Sequence, residues 1–226
     1  MSSTGRRTVS VTLPPFGGEG LLGLPAGQAS GIVLFAHGSG SSRLSPRNTF
    51  VAEALQGAGL ATLLFDLLTE EEAADRANVF DIALLAERVD LAASWVRESA
   101  AGRSLPLGLF GASTGAAAAL VAAPRRNDVR AIVSRGGRPD LAGDALEHVN
   151  AATLLIVGGN DPEVLALNRA AYRRLHCERR LDVVPGATHL FEEPGTLEVV
   201  VALARDWFLK YLPGEPAESE HGVRRS

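Results

Sequence analysis

Residues 105–123, Leu-Pro-Leu-Gly-Leu-Phe-Gly-Ala-Ser-Thr-Gly-Ala-Ala-Ala-Ala-Leu-Val-Ala-Ala, decide how the rest of the chain is read. Leu105 to Phe110 is an apolar run of strand length, and Ala116 to Ala123 is a run of strong helix formers. Between them, Gly111-Ala112-Ser113-Thr114-Gly115 fits the pattern GxSxG. In that pattern a serine stands on a sharp strand-to-helix turn with its hydroxyl at the top of a sheet, and the glycines relieve crowding there. Ser113 is therefore the expected nucleophile. The competing reading is a serine in a glycine-rich turn that only caps the helix behind it.

Outward from this point, apolar strands alternate with helical patterns. Thr8 to Leu13 and Gly20 to Leu24 read as an antiparallel edge joined by the turn Pro14 to Glu19. Gly31 to Ala36 and Leu60 to Phe65 are buried strands. Ser45-Pro46 is an N-cap with proline at the first helical position of the helix between them. Asp81 to Ala100 carries Leu84, Leu85, Val89, Ala92 and Val96 at helical spacing. Val129 to Ser134, Thr153 to Val157 and Leu181 to Val184 are further strands, and Thr196 to Leu212 is a closing helix. Asp66 to Phe80 is irregular, its Glu70-Glu71-Glu72 reading as a solvated helix start. Such alternation predicts an α/β fold with a mostly parallel sheet covered by helices on both faces, and ligands at the carboxyl ends of the strands. Residues 1–212 are expected to form one domain and 213–226 a disordered tail.

Composition narrows the partners. A formal charge of −4 and scattered arginine pairs, each read as solvated surface, argue against nucleic acid. A single cysteine, Cys177, excludes a disulfide within the chain and a cysteine-based zinc site. No apolar stretch has the length of a membrane span, and Met1 to Thr8 has no signal-peptide core, so a cytoplasmic location without membrane contact is expected. No metal or cofactor is expected.

A serine hydroxyl needs a base to take its proton, and the base needs a carboxylate to fix its tautomer. In chain order, Asp161 follows the strand ending at Val157 in Gly158-Gly159-Asn160-Asp161-Pro162. His189 follows the strand ending at Val184 in Pro185-Gly186-Ala187-Thr188-His189. Asp161 also suits an N-cap of a helix from Pro162, and both roles are compatible. Of the other histidines, His148, His176 and His221 read as surface or structural. An oxyanion needs two N–H donors. Thr114, next after the serine, is one. The other is expected in His37-Gly38-Ser39-Gly40-Ser41-Ser42, with Ser39 preferred and Gly40 second. His37, Gly38 and Gly40 are expected beside the substrate.

Taken together, this constellation resembles the α/β-hydrolase superfamily and, within it, the dienelactone-hydrolase-like group. The resemblance spans about residues 8–212 and includes Ser134-Arg135-Gly136-Gly137-Arg138-Pro139-Asp140 and Pro185-Gly186-Ala187-Thr188-His189-Leu190-Phe191. It implies a Ser113–His189–Asp161 triad acting without cofactor. Dienelactone hydrolases proper use a cysteine nucleophile, whereas this elbow holds serine, which points to a general hydrolase of carboxylic esters with small-molecule substrates. An amidase or acyltransferase with the same triad remains an alternative. So does a non-catalytic interaction module, since domains of this look occur attached to phosphoribosyltransferase domains. Only Arg135 to Ala152 separates two late strands, so no cap domain is expected and the site should be open, covered at most by residues 66–80. Arg135, at a strand end near the site, either binds a substrate carboxylate or serves as a structural ion-pair partner.

Overall fold

A computed structural model describes residues 5–213. Eight strands make one sheet in the order β1-β2-β4-β3-β5-β6-β7-β8. They are β1 (Arg7–Leu13), β2 (Gly18–Leu24), β3 (Ile32–Ala36), β4 (Ala61–Phe65), β5 (Leu107–Ala112), β6 (Val129–Arg135), β7 (Ala152–Gly158) and β8 (Arg179–Val184). β1 pairs antiparallel with β2 and β2 antiparallel with β4; every other pairing is parallel. β3, β4, β5 and β7 are buried along their whole length, as strands covered on both faces must be, with Thr62 and Thr153 their only polar side chains.

Two apolar layers flank the sheet. Helices α1 (Pro46–Gly57) and α7 (Thr196–Tyr211) close one, around Val33, Phe35, Phe110, Val133 and Phe208. Helices α4 (Ile82–Glu98), α5 (Thr114–Ala122) and α6 (Pro162–Arg174) close the other, around Leu34, Leu63, Leu109 and Leu155. The starts of α1 and α4 have local causes. Ser45 Oγ accepts from Asn48 N–H at 3.4 Å with Pro46 at the first helical position, and Asp81 Oδ1 accepts from Leu84 N–H at 3.0 Å. α5 is built of small residues and is buried except at Val121, which lets it sit in the middle of its layer.

The stretch 66–80 becomes two short helices, α2 (Glu70–Ala74) and α3 (Arg76–Phe80). Thr69 and Glu72 form a capping box that starts α2, so the acidic run is indeed a helix start. Between β6 and β7 there is only a 3₁₀ segment, Pro139–His148, kinked at Gly143; no cap domain occurs among the described residues. Arg126 departs from the solvated reading. It is 13% exposed and bonds Asp90, Ser94 and Asp128, clasping α4 to the turn before β6. Among the described residues no helix is long and apolar enough to cross a membrane. The tail expected at 213–226 lies, beyond Pro213, outside the described residues.

Candidate active site

β5 runs two residues beyond the apolar stretch that announced it, because Gly111 and Ala112 stay in the ladder, opposite Ala36 of β3 and Arg135 of β6. The chain then turns on Ser113, whose φ of 51° and ψ of −121° are rare for a residue with a side chain. The serine makes no side-chain cap bond to α5, so the capping alternative fails and the hydroxyl is not committed to the helix. The flanking glycines are required by contact: a Cβ on Gly111 would overlap the Ala116 backbone, and one on Gly115 the Ala36 carbonyl oxygen. The elbow is pinned on the β6 side as well. Ser113 N–H donates to Arg135 O at 3.4 Å, and Arg138 N–H donates to Ser113 O at 3.1 Å.

Asp161 and His189 come together from the ends of β7 and β8. His189 Nδ1 is 2.8 Å from Asp161 Oδ2, with the carboxylate side chain 15% exposed and the imidazole 37%. Asp161 Oδ1 accepts from Val164 N–H at 3.4 Å, so the same carboxylate caps α6. Their loops are stitched together: Asn160 N–H donates to Ala187 O at 2.9 Å, and Asn160 Nδ2 to Gly186 O at 3.0 Å. Past His189, the buried Phe191 anchors the loop to the α1–α7 layer. The imidazole sits over Gly136, where a Cβ would be 3.6 Å from His189 Cε1. Gly136 follows the residue whose carbonyl takes the Ser113 N–H, so the three side chains occupy one corner of the sheet. Among the described residues no hydrogen bond joins Ser113 Oγ to His189. Hydrogen bonds of this kind often tighten only when substrate binds. His148 and His176 are exposed, at the end of the 3₁₀ segment and after α6, and among the described residues neither is bonded to Ser113 or Asp161. His221 lies outside the described residues.

The loop after β3 lies against the elbow. A Cβ on Gly38 would be 2.9 Å from Ser113 Cβ and 3.7 Å from its Oγ, so only glycine lets this backbone come so near. Thr114 is buried at the first position of α5, where helix geometry leaves its N–H without an intrahelical acceptor. The Ser39 N–H is already engaged, donating to Thr114 Oγ1 at 3.1 Å. An oxyanion reaching Ser39 must share or displace that hydroxyl. Gly40 takes a positive φ of 69° in the turn closed by Ser41 N–H on Gly38 O at 3.2 Å. His37 is locked on both nitrogens: Nδ1 lies 2.9 Å from Gly38 O, and Nε2 accepts from Leu67 N–H at 3.1 Å. This assigns its proton to Nδ1. Burial of the ring pushes its pKa below the usual value, partly offset by the Gly38 carbonyl and Asp66. His37 thus lines the site and ties the loop to the chain after β4, but offers no free ring nitrogen to a substrate.

A cleft of about 690 Å³ opens beside Thr114 and the 37–42 loop. Residues 67–79 form its far wall, and Arg43, paired with Asp66 and Glu19, closes one end. This wall falls within residues 66–80, the segment expected to cover the site. Arg135 is not in the cleft. It is 6% exposed on the α1 side, where its Nη2 donates to Asn48 Oδ1 at 3.2 Å and its guanidinium lies 6.0 Å from the Phe191 ring centroid. It has no carboxylate partner among the described residues, so the ion-pair reading of Arg135 does not hold. Burial, with the nearby charge of Arg47, pulls its pKa down to about 10.

Comparison with known proteins places this corner in context. No family model matches the chain. Two curated proteins from strains of Mycobacterium tuberculosis, provisionally named phosphoribosyl transferases, are 61% identical over 208 residues. The match covers 91% of this chain but 46% of each of theirs, so the chain spans about half the length of the curated relatives it matches. A crystal structure of dienelactone hydrolase from Anabaena variabilis is 54% identical with a TM-score of 0.88, over 93% of this chain and all of that one. A Xanthomonas campestris structure, described as an α/β serine hydrolase without lid, shares the fold at 21% identity and a TM-score of 0.72, over 93% of this chain and 97% of its own. A likeness of over half the residues, carried across the whole of a solved hydrolase, settles descent: the chain belongs to the dienelactone-hydrolase-like group of the α/β-hydrolases.

Proposed function

We propose that this hydrolase cleaves carboxylic esters through an acyl-enzyme on Ser113. The observation that supports the reading most is the 2.8 Å contact between His189 Nδ1 and Asp161 Oδ2 in the same corner as a serine held at positive φ. The carboxylate keeps the Nδ1–H tautomer, which leaves Nε2 as the base. Ser113 Oγ attacks the ester carbonyl carbon while His189 takes its proton. The tetrahedral oxyanion is met by the Thr114 N–H and by an N–H of the Ser39–Gly40 loop. Collapse expels the alcohol, which receives the proton from His189. Water, deprotonated by His189, then attacks the acyl-enzyme; the carboxylic acid leaves and the proton returns to Ser113. An amine or alcohol in place of that water turns the same machinery to acyl transfer.

A second reading is favoured by the relatives' length. Their additional half and their name suggest that this hydrolase works alongside a phosphoribosyl transferase, in one chain or bound to it. A fluorophosphonate probe tests the first reading. Intact mass should show one adduct on the wild type and none on Ser113→Ala; a full adduct on the variant would remove Ser113 as nucleophile.

A further inference from the structure

Two buried polar side chains meet at one turn on the α5–α6 side of the elbow. Asn168, on α6, is fully buried. Its Nδ2 donates to Val164 O at 2.8 Å and to Gly137 O at 2.9 Å. The first bond is local, one turn back along the helix. The second crosses 31 residues to the turn that follows β6. Ser134, also fully buried, lies against that turn: a Cβ on Gly137 would overlap its Oγ. Among the described residues neither Asn168 Oδ1 nor Ser134 Oγ has a hydrogen-bond partner. A buried amide with an unpaired oxygen is disfavoured against a leucine, which fills a like volume without that cost. What Asn168 contributes must therefore lie in what its Nδ2 holds.

The supports of all three triad members meet at this turn. Gly136 lies beneath the base, where a Cβ would come within 2.9 Å of His189 O. Arg138 N–H donates to Ser113 O at 3.1 Å. Gly137 lies between them, and its carbonyl is the one Asn168 holds. In the other direction Asn168 reaches the acid through one residue, for Val164 O takes Nδ2 while Val164 N–H donates to Asp161 Oδ1 at 3.4 Å. Two consecutive glycines, the first at a φ of 52°, do not fix a turn by themselves, so this one needs an outside anchor. We propose that Asn168 is a positioning residue of the triad: it anchors the 136–137 turn to α6 and so sets the spacing of Ser113 and His189. The proposal rests on the serine-hydrolase reading and adds to it a residue that touches neither substrate nor reacting atoms.

The test uses the full chain as wild type, Asn168→Ser, Asn168→Leu and Trp207→Phe. Asn168→Ser keeps a donor for Val164 O, as helix serines do one turn back, but is too short to reach Gly137. Asn168→Leu removes both bonds. Trp207→Phe is the control: Trp207 Nε1 donates to Ala152 O at 3.1 Å, a bond of the same kind in the other apolar layer, at the opposite end of β7 from Asp161. The readouts are kcat and KM on p-nitrophenyl acetate, the rate of Ser113 labelling by a fluorophosphonate, and exchange of the Arg138 amide hydrogen followed by NMR. Both Asn168 variants should keep KM within about twofold, because neither α6 nor the 136–137 turn lines the 690 Å³ cleft. Their kcat and labelling rate should fall about tenfold, since a 1 Å misplacement costs roughly 100-fold and a smaller one proportionately less. The Arg138 amide should exchange about tenfold faster. Trp207→Phe, although less stable, should match wild type in every readout. Wild-type kcat or wild-type Arg138 exchange in Asn168→Ser would overturn the proposal. So would an equal loss of kcat in Trp207→Phe, which would reduce Asn168 to a contributor to stability. If Asn168→Leu fails to fold, Asn168→Ser carries the same test. Absence of labelling in wild type would instead sink the serine-hydrolase reading, while Arg138 exchange would still judge the anchor.

Discussion

Asp161 is asked to do two jobs with one carboxylate, and the two can be separated by substitution. Oδ1 caps α6 through Val164 N–H at 3.4 Å; Oδ2 holds His189 Nδ1 at 2.8 Å. In Asp161→Asn the amide oxygen still caps, so stability falls only by the lost charge at the helix start, about 0.5 kcal/mol. The amide NH₂, however, faces Nδ1 and demands an acceptor there. The proton moves to Nε2, and the base for Ser113 is gone. The loss in kcat is expected on the order of 10⁴, by analogy with the serine-protease triad. In Asp161→Ala both jobs end. The long cap bond puts its cost near the lower part of the usual range, about 1 kcal/mol, which lowers the melting temperature by about 3 °C in a chain of this size. Circular-dichroism melting and p-nitrophenyl ester hydrolysis of both variants read the two effects independently. Near-normal kcat in Asp161→Asn would refute the reasoning, and Asp161 would be a helix cap alone.

Three further outcomes follow from the same corner. The His37 pKa is lowered in the fold, so the unfolded chain binds the proton more readily. That stabilisation is complete above about pH 6.5 and lost as pH falls below it toward the folded value; urea unfolding from pH 7.5 to 5 should therefore fall less steeply in His37→Gln than in wild type, and equal slopes would mean that the histidine is solvated. Gly115→Ala drives a methyl into the Ala36 carbonyl, a backbone atom that cannot rotate away, and should cost on the order of 1–3 kcal/mol in urea unfolding together with slower probe labelling; a variant as stable as wild type would show that α5 can shift. On p-nitrophenyl esters activity should peak at short acyl chains. The cleft is lined by serines and by the Arg43–Asp66 pair as well as leucines, and a methylene contributes about 0.8 kcal/mol only when fully buried. A clear preference for long chains would show that α2 and α3 close over the substrate.

The succession of strands along the chain, and the placing of Ser113, Asp161 and His189 just beyond strand ends, were legible because each rests on a local pattern: an apolar run, then a glycine-bearing turn. What escaped rests on encounters between distant residues. Nothing near Ser39 reveals that Thr114 Oγ1, 75 residues on, takes its N–H. Nothing near Arg126 reveals that Asp90 on α4 will meet it and draw it out of solvent. Arg135 is the sharpest case. A sequence shows which charges exist but not which fail to meet, and its significance lies in a carboxylate that does not come. The end of β5 escaped for a related reason, since neighbouring strands, not its own side chains, keep Gly111 and Ala112 in the sheet.

The backbone at Ser113 has a consequence for how such chains change over time. A φ of 51° with ψ near −121° is comfortable for glycine and costs another residue on the order of 1–3 kcal/mol. The fold would therefore be more stable with glycine at the very position where it holds serine. A lineage kept for its abundance or for a binding role, and released from turnover, gains by that single exchange. On the proposed serine-hydrolase reading, serine at 113 is held against the gradient of stability, and the reactivity of its hydroxyl is what selection retains.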